Sequence, residues 1–147
     1  MANVFDVAKY ILHSIGGDIS TMKLQKLCYY AQAWHLVWHD NKPLFSEDFE
    51  AWVNGPVCKE LFHCHQGKFI ISENDLLGDE LTGSLTDEEI STIDKIIDFY
   101  GSKTGAWLSE LTHKEKPWLE ARGNISTQSI SHNIISKKSM YDYYRSL

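Results

Sequence analysis

Apolar residues recur at helical spacing along the first forty positions. Val4, Phe5, Ala8, Ile11, Leu12 and Ile15 follow the i, i+3, i+4, i+7 pattern. That predicts a first helix over 3–14, ended by Gly16-Gly17. The next stretch, TMKLQKLCYYAQAWHLVWHD at 21–40, is apolar nearly all round. On a wheel at about 100° per residue, Leu24, Leu27, Cys28, Ala31, Trp34, His35 and Trp38 share an arc of about 120°. The far side carries Tyr29, Tyr30, Ala33, Leu36 and Val37. Only Lys23, Gln25 and Lys26, in its first turns, predict a wet face. A helix of this kind is usually buried on all sides. Ser20 or Thr21 caps it, and the turn formers of HDNKP stop it.

Later segments are shorter. In LFSEDFEAWV, at 44–53, Phe49, Ala51 and Val53 alternate with Glu50 and Trp52, which fits a short strand nearly as well as a helical turn. In NGPVCKELFHCHQG, Pro56 sits at the first position of a third helix with Asn54 or Gly55 as cap, and Gly67 ends it. Val57, Leu61 and Cys64 would face inward. KFII and ELTGSL, within 68–85, read as short extended pieces. Thr86 and Glu89 form a capping box for a helix whose stripe is Ile90, Ile93, Ile97 and Tyr100, closed by Gly101. A further helix runs through Trp107, Leu108 and Leu111 and ends before Pro117. The tail, 129–147, holds one or two short helices with Ile134, Ile135, Met140, Tyr143 and Tyr144 as inward residues. The expected fold is mainly α: a single compact helical domain over 1–147, packed round a buried central helix, with at most a small β element.

Composition narrows the class. The chain has 147 residues, 43% hydrophobic and 23% charged, which is globular and supports one core. No apolar run is long enough to span a bilayer, and the start lacks a basic leader region. The expectation is a cytoplasmic protein without membrane contact. Three cysteines without framework spacing agree with a reducing compartment.

Charge is uneven. The net is −6, yet residues 73–102 hold 1 basic and 9 acidic side chains, while residues 103–147 hold 7 basic and 4 acidic. An acidic chain is a poor autonomous ligand for nucleic acid, so no direct nucleic-acid partner is expected. The acidic segment suits a basic partner, or is simply a solvated helix face.

Candidate chemistry is sparse. His35 and His39, four apart on a helix, could both reach one ion, but HLVWH lacks the Glu of a zinc protease. Cys58 and Cys64 diverge by about 240° on a helix, and Cys58 and His65 lie about 10 Å apart along its axis. There is no G-x-S-x-G and no phosphate loop, and the Asp87–Glu88–Glu89 cluster is explained by capping. No catalytic residue, metal or cofactor is therefore assigned. A metal-dependent enzyme using His35 and His39 stays as an alternative. Five Trp and seven Tyr are the remaining signal. Trp52, Trp107 and Trp118 lie beside turns, where a ring can serve a partner or fill the core edge.

MKLQKLCYYAQ, then PLF-x3-FEAW-x-NGPV, then LTHKEKPW, in that order and spacing, resemble the Panacea domain of SocA-like antitoxins and phage-associated proteins. The resemblance covers nearly the whole chain. It implies a small bacterial or prophage protein that is not an enzyme and neutralises a toxin encoded beside it, commonly by complex formation. In the SocA branch the antitoxin also delivers the toxin to the ClpXP protease. Some members carry a fused DNA-binding module, which this chain has no room for. Within this frame Lys23, Gln25, Lys26, Trp52, Asn54, Gly55, Pro56, His113 and Trp118 are expected to form a polar, aromatic-rimmed surface for the cognate toxin. Lys26 and His113 could equally satisfy internal hydrogen bonds. A regulator that binds another protein with no toxin involved is a further alternative, and exposed aromatics leave a homodimer open.

Overall fold

In the computed structural model, residues 1–76, 78 and 81–147 are described. They form a mainly α structure of seven α-helices with two small antiparallel sheets. Helix α1 is Val4–Ile15, and its capping box joins Asn3 and Asp6 reciprocally at 2.9 Å. Helix α2 is Thr21–Trp38, with Ser20 as N-cap. Every residue from Leu24 to Ala33 in it is buried, as are His35 and Leu36. α1, α4 (Asp87–Tyr100), α5 (Gly105–Thr112) and α7 (Lys137–Tyr144) all pack against α2, so it is the axis the hydropathy pattern predicts. The wet face expected for Gln25 and Lys26 does not exist: they are 2% and 1% exposed.

Burying polar groups requires partners, and α2 has them. Gln32 donates to the Phe45 carbonyl and accepts from the Leu44 amide at 2.6 and 2.7 Å, pinning the loop after α2. His35 Nδ1 meets Thr92 Oγ1 of α4 at 2.8 Å. Tyr30 and Tyr144 both donate to Glu115 Oε1 at 2.7 Å, joining α2, α7 and the turn that follows α5.

Strands β1 (Ile19–Ser20) and β4 (Ile70–Ile71) form one sheet, with Ile19 opposite Ile71. In the other, β2 (Phe49–Trp52) lies between β3 (Gly55–Val57) and β5 (Ile134–Ile135), with Ala51 opposite Pro56 and Phe49 opposite Ile135.

Several boundaries differ from expectation. Pro56 does not open a helix. It sits in β3, an edge strand, where a missing N–H is tolerated. The third helix, α3, is Lys59–His65, with Cys58 as N-cap. The helix through Trp107, Leu108 and Leu111 ends before Pro117 as expected, but Pro117 itself lies in the first turn of a separate, unexpected helix, α6 (Lys116–Arg122). In α4 the buried residues are Thr92, Ile93, Ile96 and Tyr100, with Ile90 and Ile97 at the margin. Of the tail residues expected inward, Ile134 points out. Residues 81–85 contain no strand, and Glu80 of that expected piece lies outside the described residues.

Candidate functional site

The β2–β3 hairpin turns through Val53 and Asn54, and its carbonyls are held by side chains from α5, α6 and α2. Arg122 Nη1 donates to the Ala51 carbonyl at 2.9 Å, and Trp118 Nε1 to that of Trp52 at 2.8 Å. His113 Nε2 lies 2.7 Å from the Val53 carbonyl, an acceptor only, so this nitrogen carries the proton. Burial pulls the His113 imidazole below its usual range, which keeps it neutral in this role. Ser109 Oγ donates to the Asn54 carbonyl at 2.5 Å. Lys26 Nζ reaches the Pro56 carbonyl at 3.2 Å.

The residues of WVNGPV and LTHKEKPW thus come together as a side-chain-to-carbonyl ladder. The rings of His113 and Trp118 lie 4.3 Å apart, and the Arg122 guanidinium stands 5.0 Å from the Trp118 ring. Sequence reasoning missed two members, Ser109 and also Arg122. The clue to Arg122 was the i, i+4 spacing from Trp118 on one short helix. Arg122 is also bound by the Ser126 and Ser129 carbonyls, while its buried Nε has no partner among the described residues.

On the outer side of this hairpin lies a groove of about 750 Å³. Of the nine residues expected to meet a partner, Gln25, Lys26, Trp52 and Asn54 line it. Gly55 and Pro56 are buried behind it, and His113 and Trp118 brace the hairpin. Lys23 turns away: its Nζ donates to the Gly101 carbonyl at the end of α4.

The groove floor is polar. Gln25 Nε2 donates to the Cys58 carbonyl at 3.1 Å and to His65 Nε2 at 3.0 Å, and Gln25 Oε1 accepts from the Cys58 amide at 2.8 Å. His65 Nε2 is therefore the acceptor and its proton sits on Nδ1. Burial moves both floor bases down, His65 below its usual range and Lys26 to about 7. The walls are apolar. Trp52 packs edge-on against Phe62, and the lips carry Phe69, 87% exposed, Ile70, and Ile130, 80% exposed. Among the described residues the lining includes Lys26, Lys68, His65 and His132 and no carboxylate. Lys68 and His132 are paired with Asp75 and Glu50, which leaves Lys26, among the described residues, as the lining amine without a carboxylate partner.

His35 and His39 stack at 4.3 Å, and Thr92 Oγ1 lies between them, 2.8 Å from His35 Nδ1 and 3.3 Å from His39 Nε2. Among the described residues, no three His, Cys, Asp or Glu side chains are grouped to hold a metal ion.

Residues 24–119 match the family described as antitoxin SocA-like, Panacea domain. The chain belongs to the SocA-like Panacea family. No curated protein and no solved structure matches it. The matched span of this Panacea domain starts in α2, takes in the hairpin and ends in α6, so it contains every donor of the ladder except Arg122. Among the described residues, no helix is long and apolar enough to cross a membrane.

Proposed function

We propose that this protein is an antitoxin that neutralises a co-encoded toxin by direct protein binding in the cytoplasm. The toxin docks in the groove outside the β2–β3 hairpin, and the whole chain, 1–147, acts as one unit. Family membership supports a toxin partner and a non-enzymatic role. The observation that carries the reading is the pair of apolar lips. Phe69 and Ile130 stand in water beside a braced hairpin, and an exposed apolar patch with a polar floor marks an interaction surface. The ladder fixes the hairpin before any partner arrives, so little ordering entropy is lost on docking. The acidic segment 73–102 adds attraction for a basic patch on the toxin, an attraction that salt weakens.

The test is co-expression with the product of the adjacent open reading frame, scoring growth with and without this chain. Rescue from a toxic neighbour supports the antitoxin reading. A pull-down then separates blocking in a stable complex from delivery to the ClpXP protease. A harmless neighbour, or one whose toxicity is unchanged, removes that reading and leaves a regulatory interaction module as the successor.

A further inference from the structure

A second groove, of about 810 Å³, lies at the other end of α2 and shares no lining residue with the first. Trp34 and Trp38 of α2, Phe99 and Tyr100 of α4, and Trp107 of α5 line it, with Glu115 among them. Phe99 is 72% exposed, and Trp38 and Trp107 are also open to solvent. Two features give this aromatic surface a chemical preference.

First, its ring faces already hold cations. Lys95 Nζ stands 5.0 Å from the Trp38 ring centre, and Lys103 Nζ stands 4.7 Å from that of Trp107. Tryptophan faces attract ammonium and guanidinium groups through their quadrupole. Second, Glu115 is 94% buried, yet only half of its carboxylate is engaged. Both tyrosine hydroxyls go to Oε1. Among the described residues no donor reaches Oε2, which is not sealed from solvent. A buried carboxylate with one open oxygen favours a charged donor.

We propose that this groove is a separate docking site for a basic side chain, lysine or arginine, presented by a partner protein. The charged head lies among the rings of Trp34 and Trp38 and pairs with Glu115. The acidic segment 73–102, which includes α4, steers such a partner toward this end of the molecule. Burial holds the Glu115 carboxyl above its usual range, and an arriving cation favours the charged form. The free protein's Lys95 occupies part of the site and must leave the Trp38 face.

The experiment uses the folded chain alone, so it does not depend on the antitoxin reading. n-Butylguanidinium and n-butylammonium are titrated while the indole N–H resonances of Trp34, Trp38 and Trp107 are followed by NMR, with n-butylurea as the neutral control. The cations are expected to give saturable shifts and n-butylurea none. Glu115→Gln should weaken guanidinium binding roughly tenfold, the loss of one charge-assisted pair. Lys95→Ala should strengthen it. Phe99→Ala, at an exposed position, should weaken it several-fold and remains informative if Glu115→Gln fails to fold. Equal response to n-butylurea, or undiminished binding in Phe99→Ala, overturns the proposal.

Discussion

Lys26 of α2 donates to the carbonyl of Pro56 at 3.2 Å, and Gly55 is the residue that leaves room for it. The contact joins the central helix to the hairpin that forms one wall of the candidate groove. It also places an amine in the interior with, among the described residues, no carboxylate beside it.

Gly55 has φ +111°, and a Cβ there would lie 2.7 Å from Thr112 Oγ1 and 2.8 Å from Lys26 Cε. Backbone strain and overpacking therefore act together, each worth about 1–3 kcal/mol. Gly55→Ala should lose about 2–6 kcal/mol in denaturant unfolding. Gly67→Ala, with φ +86° and open space, carries strain alone and should lose about 1 kcal/mol. Equal losses would show that the hairpin is not tightly packed on Lys26.

Burial brings Lys26 down to about 7 in the folded protein from an ordinary value of 10.5. Between these values the unfolded chain binds the extra proton, so folding stability rises with pH across the window. From pH 7 to pH 9 the wild type should gain about 2 kcal/mol relative to Lys26→Met, which has no such titration. Parallel pH profiles for the two proteins would mean that Lys26 is solvated or paired with an acid.

Lys26 and Gln25 depart from the pattern of their own helix. On a wheel they are polar residues in the first turns of a helix, and polar residues there normally face water. Their burial depends on His65, Cys58 and the hairpin, at sequence separations of 30–40 residues that no local pattern encodes. Local signals succeeded where the cause is local, as in the Thr86–Glu89 capping box of α4 and the all-round apolarity of α2. Pro56 misled because proline suits a first helical turn and an edge strand alike, and the choice was made by pairing with Ala51. The three motif segments marked the hairpin and its braces, but nothing in their spacing distinguished a surface from the scaffold beneath it.

His35 predicts the acid limb. Burial, followed by the nearby His39 and Lys42, pulls His35 down to about 4. The unfolded chain therefore takes up the proton first as pH falls below 6.5, and stability is lost from there toward pH 4. At pH 5 this residue alone accounts for about 2 kcal/mol relative to pH 7. His35→Gln should flatten that part of the profile by about this amount in melting experiments. Glu115, shifted up from 4.5, works in the opposite sense above that value and within the same acid limb, so the wild-type and variant difference is the quantity to read.

Phe69 and Ile130 separate docking from folding. Both side chains are mostly in water, so Phe69→Ala and Ile130→Ala should change stability by less than about 0.5 kcal/mol. As anchors at the lip of an apolar groove, each should weaken toxin binding by about 1–2 kcal/mol, roughly five- to thirtyfold in Kd. Trp118→Ala provides the contrast. It removes the donor to the Trp52 carbonyl and a buried ring, so it should lower the melting temperature first and neutralisation only in proportion. Calorimetric titration with the toxin beside thermal melts distinguishes the two patterns. Undiminished affinity in both lip variants would move the toxin contact away from this groove, while the ladder's role in holding the hairpin would stand.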